Sequence, residues 1–248
     1  MKRYHVLILL CAAPALFGCH KPQQAAAPND AVVTHATLSP GGNWGDVVND
    51  TAAGGIMMGD PNAKVKLIEI ASLGCPYCRA FAQSGVAPLV NDYVKTGKAS
   101  WEFRPYIIHG SVDLAANLIA RCNGSKSFFP LAEALYKDQP QWIGKVEAAP
   151  AAKIEAIQNL PPSQAFVAMA QLAGLQEWAA MRGVPHAKST ACLSDQRKIA
   201  AEVQMVTDVG NQFPNFTGTP AFVINEELQD KSVTSWNKLK PLLDAALR

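Results

Sequence analysis

The chain has 248 residues, enough for one large domain or two small ones with a sizeable core. Hydrophobic residues make up 49% and charged residues 17%, which excludes intrinsic disorder and any fibrous or collagen-like class. A net charge of +2, from 22 Lys plus Arg against 20 Asp plus Glu, provides no global field for polyanions, and no nucleic-acid partner is expected.

Lys2 and Arg3 precede an apolar stretch at 6–17, a charged n-region and an h-region too short to span a bilayer. The pattern predicts a signal peptide over 1–18. The run Leu16, Phe17, Gly18, Cys19 resembles the lipobox of bacterial lipoproteins, although Phe17 departs from the small residue usual there. The resemblance implies cleavage before Cys19 and a lipid on its sulfur, tethering the protein to the membrane of the periplasm or its equivalent. An exported chain meets an oxidising compartment, where disulfides persist. Cys11 lies in the leader, so Cys19 apart, four cysteines remain: Cys75, Cys78, Cys122 and Cys192, which allow three pairings.

Residues 19–53 are rich in Ala, Pro, Gly and Asn and predict a flexible tether, with an optional edge strand at 31–33. Turn punctuation follows at Gly54, Gly55 and 59–62. The apolar run 65–70 predicts a central strand, which leads directly into Gly74, Cys75, Pro76, Tyr77 and Cys78. Proline after the first cysteine suits the first turn of a helix, whose apolar positions Phe81, Val86, Leu89, Val90 and Tyr93 continue with a kink before Pro88. A second strand is predicted over 100–108. Helices are predicted from a Ser111 cap through Cys122, and near 129–137, 163–182 and 195–210, with an Ala/Pro-rich loop over 148–162. Then come Thr217, Gly218, Thr219 and Pro220, a strand at 221–224, a turn near Asn225, a short strand around 231–233 and a last helix over 235–248.

Cys-Pro-Tyr-Cys between a strand and a helix, with Thr219-Pro220 opening a later strand and a helical block between them, resembles the DsbA-like branch of the thioredoxin superfamily. The resemblance covers about 55–247. It implies an α/β fold, a thioredoxin-like central sheet flanked by helices, with an α-helical domain inserted between the second strand and the cis-proline strand. The thioredoxin-like part is expected at 54–110 and 211–248, the insert at 111–210.

The resemblance assigns Cys75 as nucleophile and Cys78 as buried resolver, and the chemistry agrees. A thiol attacks as thiolate, and unpaired N–H groups with the dipole at a helix start favour that charge. Cys75 is therefore expected to be the exposed, low-pKa thiol, held by the helix start more than by any cation, with Arg79 pointing away. Cys78, one turn on, can resolve a mixed disulfide. Glu69, six residues before Cys75, occupies the place where DsbA-like proteins resemble one another in keeping a buried acid. Burial should raise its pKa and let it exchange protons with Cys78. For Pro220 the resemblance implies a cis peptide after Thr219, and Pro76, Tyr77, Thr219 and Pro220 are expected to contact substrate. It also points to a structural disulfide between Cys122 and Cys192, the two thiols then left in the oxidising compartment.

A zinc site would need four ligands, and Cys122 and Cys192 have no close His partners. His109 and His186 read as surface or satisfied histidines, and Trp101, Trp142, Trp178 and Trp236 as core or lid side chains. Arg104 and Lys66 read as solvated charges. No cofactor or metal is expected, and the protein is expected to be monomeric. The favoured activity is donation of the Cys75–Cys78 disulfide to exported protein thiols, with a membrane redox partner that reoxidises the pair. Tyr77 and Thr219 also resemble the isomerase and reductase branches. Isomerases of this superfamily carry an N-terminal dimerisation domain for which 19–51 leaves no room, so oxidase is favoured. The alternative from another class is a non-catalytic binding or chaperone module.

Overall fold

The computed structural model describes residues 42–248. The expected signal peptide, Cys19, the strand at 31–33 and the tether up to residue 41 lie outside the described residues.

Six strands form one sheet: β1 (Val48–Asp50), β2 (Ile56–Met58), β3 (Val65–Ala71), β4 (Ala99–Pro105), β5 (Ala221–Ile224) and β6 (Glu227–Leu228), in the order β1-β2-β4-β3-β5-β6. Only β3 and β4 run parallel, from Val65 beside Ala99 to Ala71 beside Pro105. The crossover between them is α1 (Pro76–Leu89), which runs on into a π-helical turn at Val90–Val94. Pro88 lies within α1, and the chain widens after it rather than stopping, the accommodation a missing N–H invites.

Alternation along β3 divides the core. Val65, Leu67 and Ala71 join Trp101, Phe103 and Phe222 in the main cluster, with Phe81 and Leu89 of α1 and, from α10 (Trp236–Ala246), Leu239 and Leu243. Ile70 and Val223 face the other way and meet Val209 and Phe213. Full burial of each such side chain stabilises by about 1.5–3 kcal/mol. Ring contacts bind the layers together, Phe81 to Phe222 at 4.7 Å and Trp101 to Phe129 at 4.6 Å.

Eight helices fall between β4 and β5: α2 (Gly110–Arg121), α3 (Ser125–Lys137), α4 (Gln139–Glu147), α5 (Ala151–Gln158), α6 (Pro162–Leu172), α7 (Leu175–Ala180), α8 (His186–Ser194) and α9 (Gln196–Gln212). Every residue of α2 from Val112 to Ala120 is buried, because α3, α6 and α8 all pack on it. Cys122, the residue after α2, is bonded to Cys192 in α8, with 5.9 Å between their Cα atoms.

Several expectations are corrected. Val48–Asp50, inside the expected tether, is a strand paired antiparallel to β2, and Trp44–Asp46 forms a 3-10 turn. The expected 148–162 loop contains α5, since Pro150 precedes the first helical residue, where a missing N–H is harmless. The single helix expected at 163–182 is two, split at Gly174, whose φ of 71° is left-handed. Ser111 is not a cap, because α2 starts at Gly110 with His109 before it. The short strand lies at Glu227–Leu228, not around 231–233, because Asn225 and Glu226 adopt positive φ (47° and 71°) and close a tight hairpin. Arg104 is not solvated: it is 5% exposed, paired with Glu102 at 2.8 Å and hydrogen-bonded to Gln212 at 2.8 Å.

Candidate active site

The β3–α1 junction sets the site. Cys75 is the residue before the helix, with extended backbone (φ −77°, ψ 125°), and Pro76 takes the first helical position. The Cys75 carbonyl accepts the first helical bond from Arg79 N–H at 3.0 Å. A side chain at residue 74 would collide with His109, whose Cδ2 lies 2.8 Å from where its Cβ would be, so this close approach requires Gly74.

Both cysteines are unbonded thiols and both are buried, Cys78 completely and Cys75 at 2% exposure. The exposed nucleophile that the sequence suggests is therefore corrected: the loop of 217–220 lies against it, with Thr219 O at 3.4 Å from Cys75 Sγ. The Thr219–Pro220 peptide is cis. Tyr77, by contrast, is 70% exposed.

The two thiols are pushed in opposite directions. Cys75 is lowered to about 5, first by the Cys78 thiol hydrogen-bonding to its sulfur, against the cost of burial, with smaller help from Thr219 and the N–H groups of Cys78 and Tyr77. Cys78 is held well above its ordinary value, first by burial and then by the neighbouring Cys75 sulfur. The causes that lower Cys75 include the helix-start N–H groups and no cation, and the partner thiol, which the sequence did not single out for this role, comes first.

Glu69 lies in the middle of the sheet, opposite Phe103 on one side and Phe222 on the other, and is 1% exposed. Burial raises it from 4.5 to about 8, and a hydrogen bond from Trp101 Nε1 at 3.1 Å opposes the shift. The carboxyl lines a cleft of about 700 Å³ between α1 and α3, with Trp101, Phe103, Phe129 and Tyr136 around it. Among the described residues no hydrogen bond joins Glu69 to Cys78.

Three side chains absent from the sequence reading hold the loop that ends in Cys75. Asp113, fully buried, accepts from Ser72 Oγ at 2.6 Å, Gly74 N–H at 3.2 Å and Ile108 N–H at 3.1 Å. Burial is the first cause raising its pKa. Tyr136 O–H donates to Ser72 O at 3.1 Å. Gln139 Nε2 donates to Leu73 O at 2.7 Å and Cys75 O at 3.0 Å. The one available signal was Asp113, an acid inside the apolar helical run 112–116. No group of three or more His, Cys, Asp or Glu among the described residues is arranged to hold a metal ion.

Residues 51–245 match a family model described as thioredoxin. A relative from Rickettsia bellii, provisionally named a protein-disulfide oxidoreductase, is 26% identical over 171 residues, which cover 68% of this chain. The matched region spans only 56% of that relative's length. The crystal structure of a protein-disulfide isomerase from Novosphingobium aromaticivorans is similar at 28% identity and TM-score 0.73, over 77% of this chain and 96% of that one. Wolbachia pipientis alpha-DsbA1 shares the fold at 20% identity and TM-score 0.61, over 77% of this chain and 89% of its own. With a central sheet, a redox-type cysteine pair at the strand-to-helix junction and a family match over most of its length, the chain belongs to the thioredoxin family.

Proposed function

We propose that the protein is a thiol:disulfide oxidoreductase whose redox centre is the Cys75–Cys78 pair, donating a disulfide to exported proteins. The observation that carries this reading is the placement of two free thiols one helical turn apart, Cys75 at the start of α1 beside the cis Thr219–Pro220 peptide and Cys78 fully buried behind it, a setting that lowers Cys75 and raises Cys78. That is the arrangement an attacking and leaving sulfur and its resolving partner need. A binding or chaperone module would have no use for it.

In the oxidised pair a substrate thiolate attacks Cys75 Sγ, the Cys75–Cys78 bond breaks, and Cys78 leaves with the electron pair and takes a proton. A second substrate thiolate attacks the substrate sulfur of the mixed disulfide, and Cys75 leaves as thiolate. The substrate loses two electrons and the pair gains them. Glu69 is the buried acid that exchanges the Cys78 proton, and it has its own access to solvent through the cleft between α1 and α3 that it lines. Exposed Tyr77, with Pro76, Thr219 and Pro220 beside the sulfurs, contacts the substrate chain, and Pro220 presents no N–H to compete for its backbone. A membrane redox partner restores the disulfide. The site works in the periplasm or its equivalent, tethered by lipid on Cys19. The leader pattern and the Cys122–Cys192 bond support export, and no helix among the described residues is long and apolar enough to cross a membrane.

Isomerase or reductase is the second reading, favoured by the name of the Novosphingobium relative. Its match spans 96% of that chain, so the length of sequence before the redox domain does not separate the two directions. Equilibration with glutathione decides: an oxidase should lie near ~−120 mV, an isomerase near ~−180 mV and a reductase near ~−270 mV. Failure to catalyse either insulin reduction or oxidation of a reduced peptide would leave the binding module as the better account.

A further inference from the structure

Backbone polar groups buried in a loop need partners, and residues 72–75 find most of theirs in the helical insert. Ser72 O receives Cys75 N–H at 3.1 Å and Tyr136 O–H at 3.1 Å, and Gly74 N–H goes to Ser72 Oγ and Asp113. Gln139 is the member that reaches the nucleophile's own backbone. Its single NH2 group serves two carbonyls, Leu73 O at 2.7 Å and Cys75 O at 3.0 Å, from a side chain only 4% exposed. The Cys75 oxygen already holds the first helical bond, so Gln139 adds a second donor at the start of α1.

Gln139 is itself held firmly. It opens α4 directly after Asp138, whose carboxylate accepts from Trp178 Nε1 at 2.8 Å and Arg182 Nη2 at 2.8 Å. The Arg182 guanidinium stacks over the Trp178 ring at 4.2 Å. The Asp138 carbonyl accepts from Gln141 N–H at 3.0 Å, and Trp142 Nε1 donates to Leu135 O at 3.0 Å. The amide is thus presented from a fixed frame in the insert to the first turn of α1.

We propose that Gln139 is a positioning residue of the redox centre, clamping Leu73 and Cys75 so that the Cys75 sulfur faces the Cys78 thiol and the first N–H groups of α1. This rests on the oxidoreductase reading above and adds the insert as a determinant of how oxidising the pair is. Loss of the clamp lets the Cys75 peptide rotate, so the thiolate loses donors and becomes a poorer leaving group.

The test compares the full-length protein with Gln139→Met, which keeps length and bulk but has no donor, and Gln139→Glu, which sets a carboxyl against two carbonyls. Two readouts are taken on each: thiolate absorbance at 240 nm against pH, and the equilibrium constant with glutathione. In Gln139→Met the Cys75 titration should move up by about half to one pH unit, since one hydrogen bond is worth roughly that much. The equilibrium should shift about three- to tenfold toward the disulfide, equivalent to ~15–30 mV. Gln139→Glu should move both readouts the same way and further. Titration and equilibrium constant within twofold of the parent in either folded variant, with only thermal stability lowered, would overturn the proposal and leave Gln139 a structural residue. If Gln139→Met does not fold, Gln139→Leu, which also lacks a donor and adds no charge beside the thiolate, carries the same decision. A parent protein with no low-pKa thiol and no exchange with glutathione would instead refute the oxidoreductase reading itself, whatever the variants do.

Discussion

Trp101 Nε1 donates to Glu69 Oε2 at 3.1 Å, joining adjacent strands β4 and β3 through side chains on the face that α1 and α3 cover. The bond satisfies one oxygen of an acid that the sheet interior keeps neutral at pH 7, since burial lifts Glu69 to about 8.

Folding therefore takes up a proton at Glu69 between its unfolded value near 4.5 and its folded value near 8. Stability from this group is fully present below pH 4.5 and is lost as pH rises toward 8. Glu69→Gln should remove that slope, and urea titrations at pH 5 and pH 8 should show the variant gaining roughly 2–4 kcal/mol on the parent across the interval. Turnover should fall at the same time, with the slowed step being formation of the mixed disulfide, in which Cys78 leaves and takes up a proton. A parallel pH dependence in both proteins would contradict the shift.

Cys78 is the largest stabiliser of the Cys75 thiolate. Cys78→Ala should raise the Cys75 titration from about 5 toward its ordinary 9 and trap substrate as a mixed disulfide, whereas Cys75→Ser should abolish exchange. Alkylation by iodoacetamide across pH 4–9 with mass mapping checks the order: Cys75 reacts first and Cys78 hardly at all. Reaction at Cys78 first would reverse the assigned roles.

The Cys122–Cys192 bond closes a separation of 70 residues between α2 and α8. Replacing both with Ala should cost roughly 2–4 kcal/mol of stability by urea denaturation. The Cys75 titration should stay in place, because neither sulfur contributes to its shift. Free thiols at both positions in the unreduced protein would remove the basis of this expectation.

Arg121 Nε meets Glu202 at 2.8 Å, and the Glu202 side chain is only 3% exposed. Burial lifts Glu202 to about 7, against the pull of Arg121. Arg121→Leu should destabilise by roughly 3–5 kcal/mol at pH 8, and adding Glu202→Leu should recover much of that loss. Equal or greater loss in the double variant, measured by chemical denaturation, would show that packing rather than charge dominates.

The apolar run of β3, proline after Cys75, the second cysteine one turn on and the Thr219-Pro220 pair before an apolar strand are local signals, and each is legible because its physics is local. Strand alternation, the first helical turn and the turn at Asn225 involve residues within a few positions of one another. Val48–Asp50 is three residues long with two of them polar, too short for periodicity, and becomes a strand only because β2 offers its edge. Arg104 and Glu69 have charged side chains that composition assigns to solvent or leaves open, and the layers that cover them decide their burial.

The cysteine pair and its chemistry were thus written in the sequence, along with the strand and helix that carry it. What only the tertiary structure decided is the setting of the sulfurs: the burial of Cys75 under the 217–220 loop, and the grip of Asp113, Tyr136 and Gln139 on residues 72–75. Those partners stand 39 to 66 positions away along the chain. A hydrogen bond at 3 Å depends on where whole helices pack, and no pattern of neighbouring residues encodes that distance.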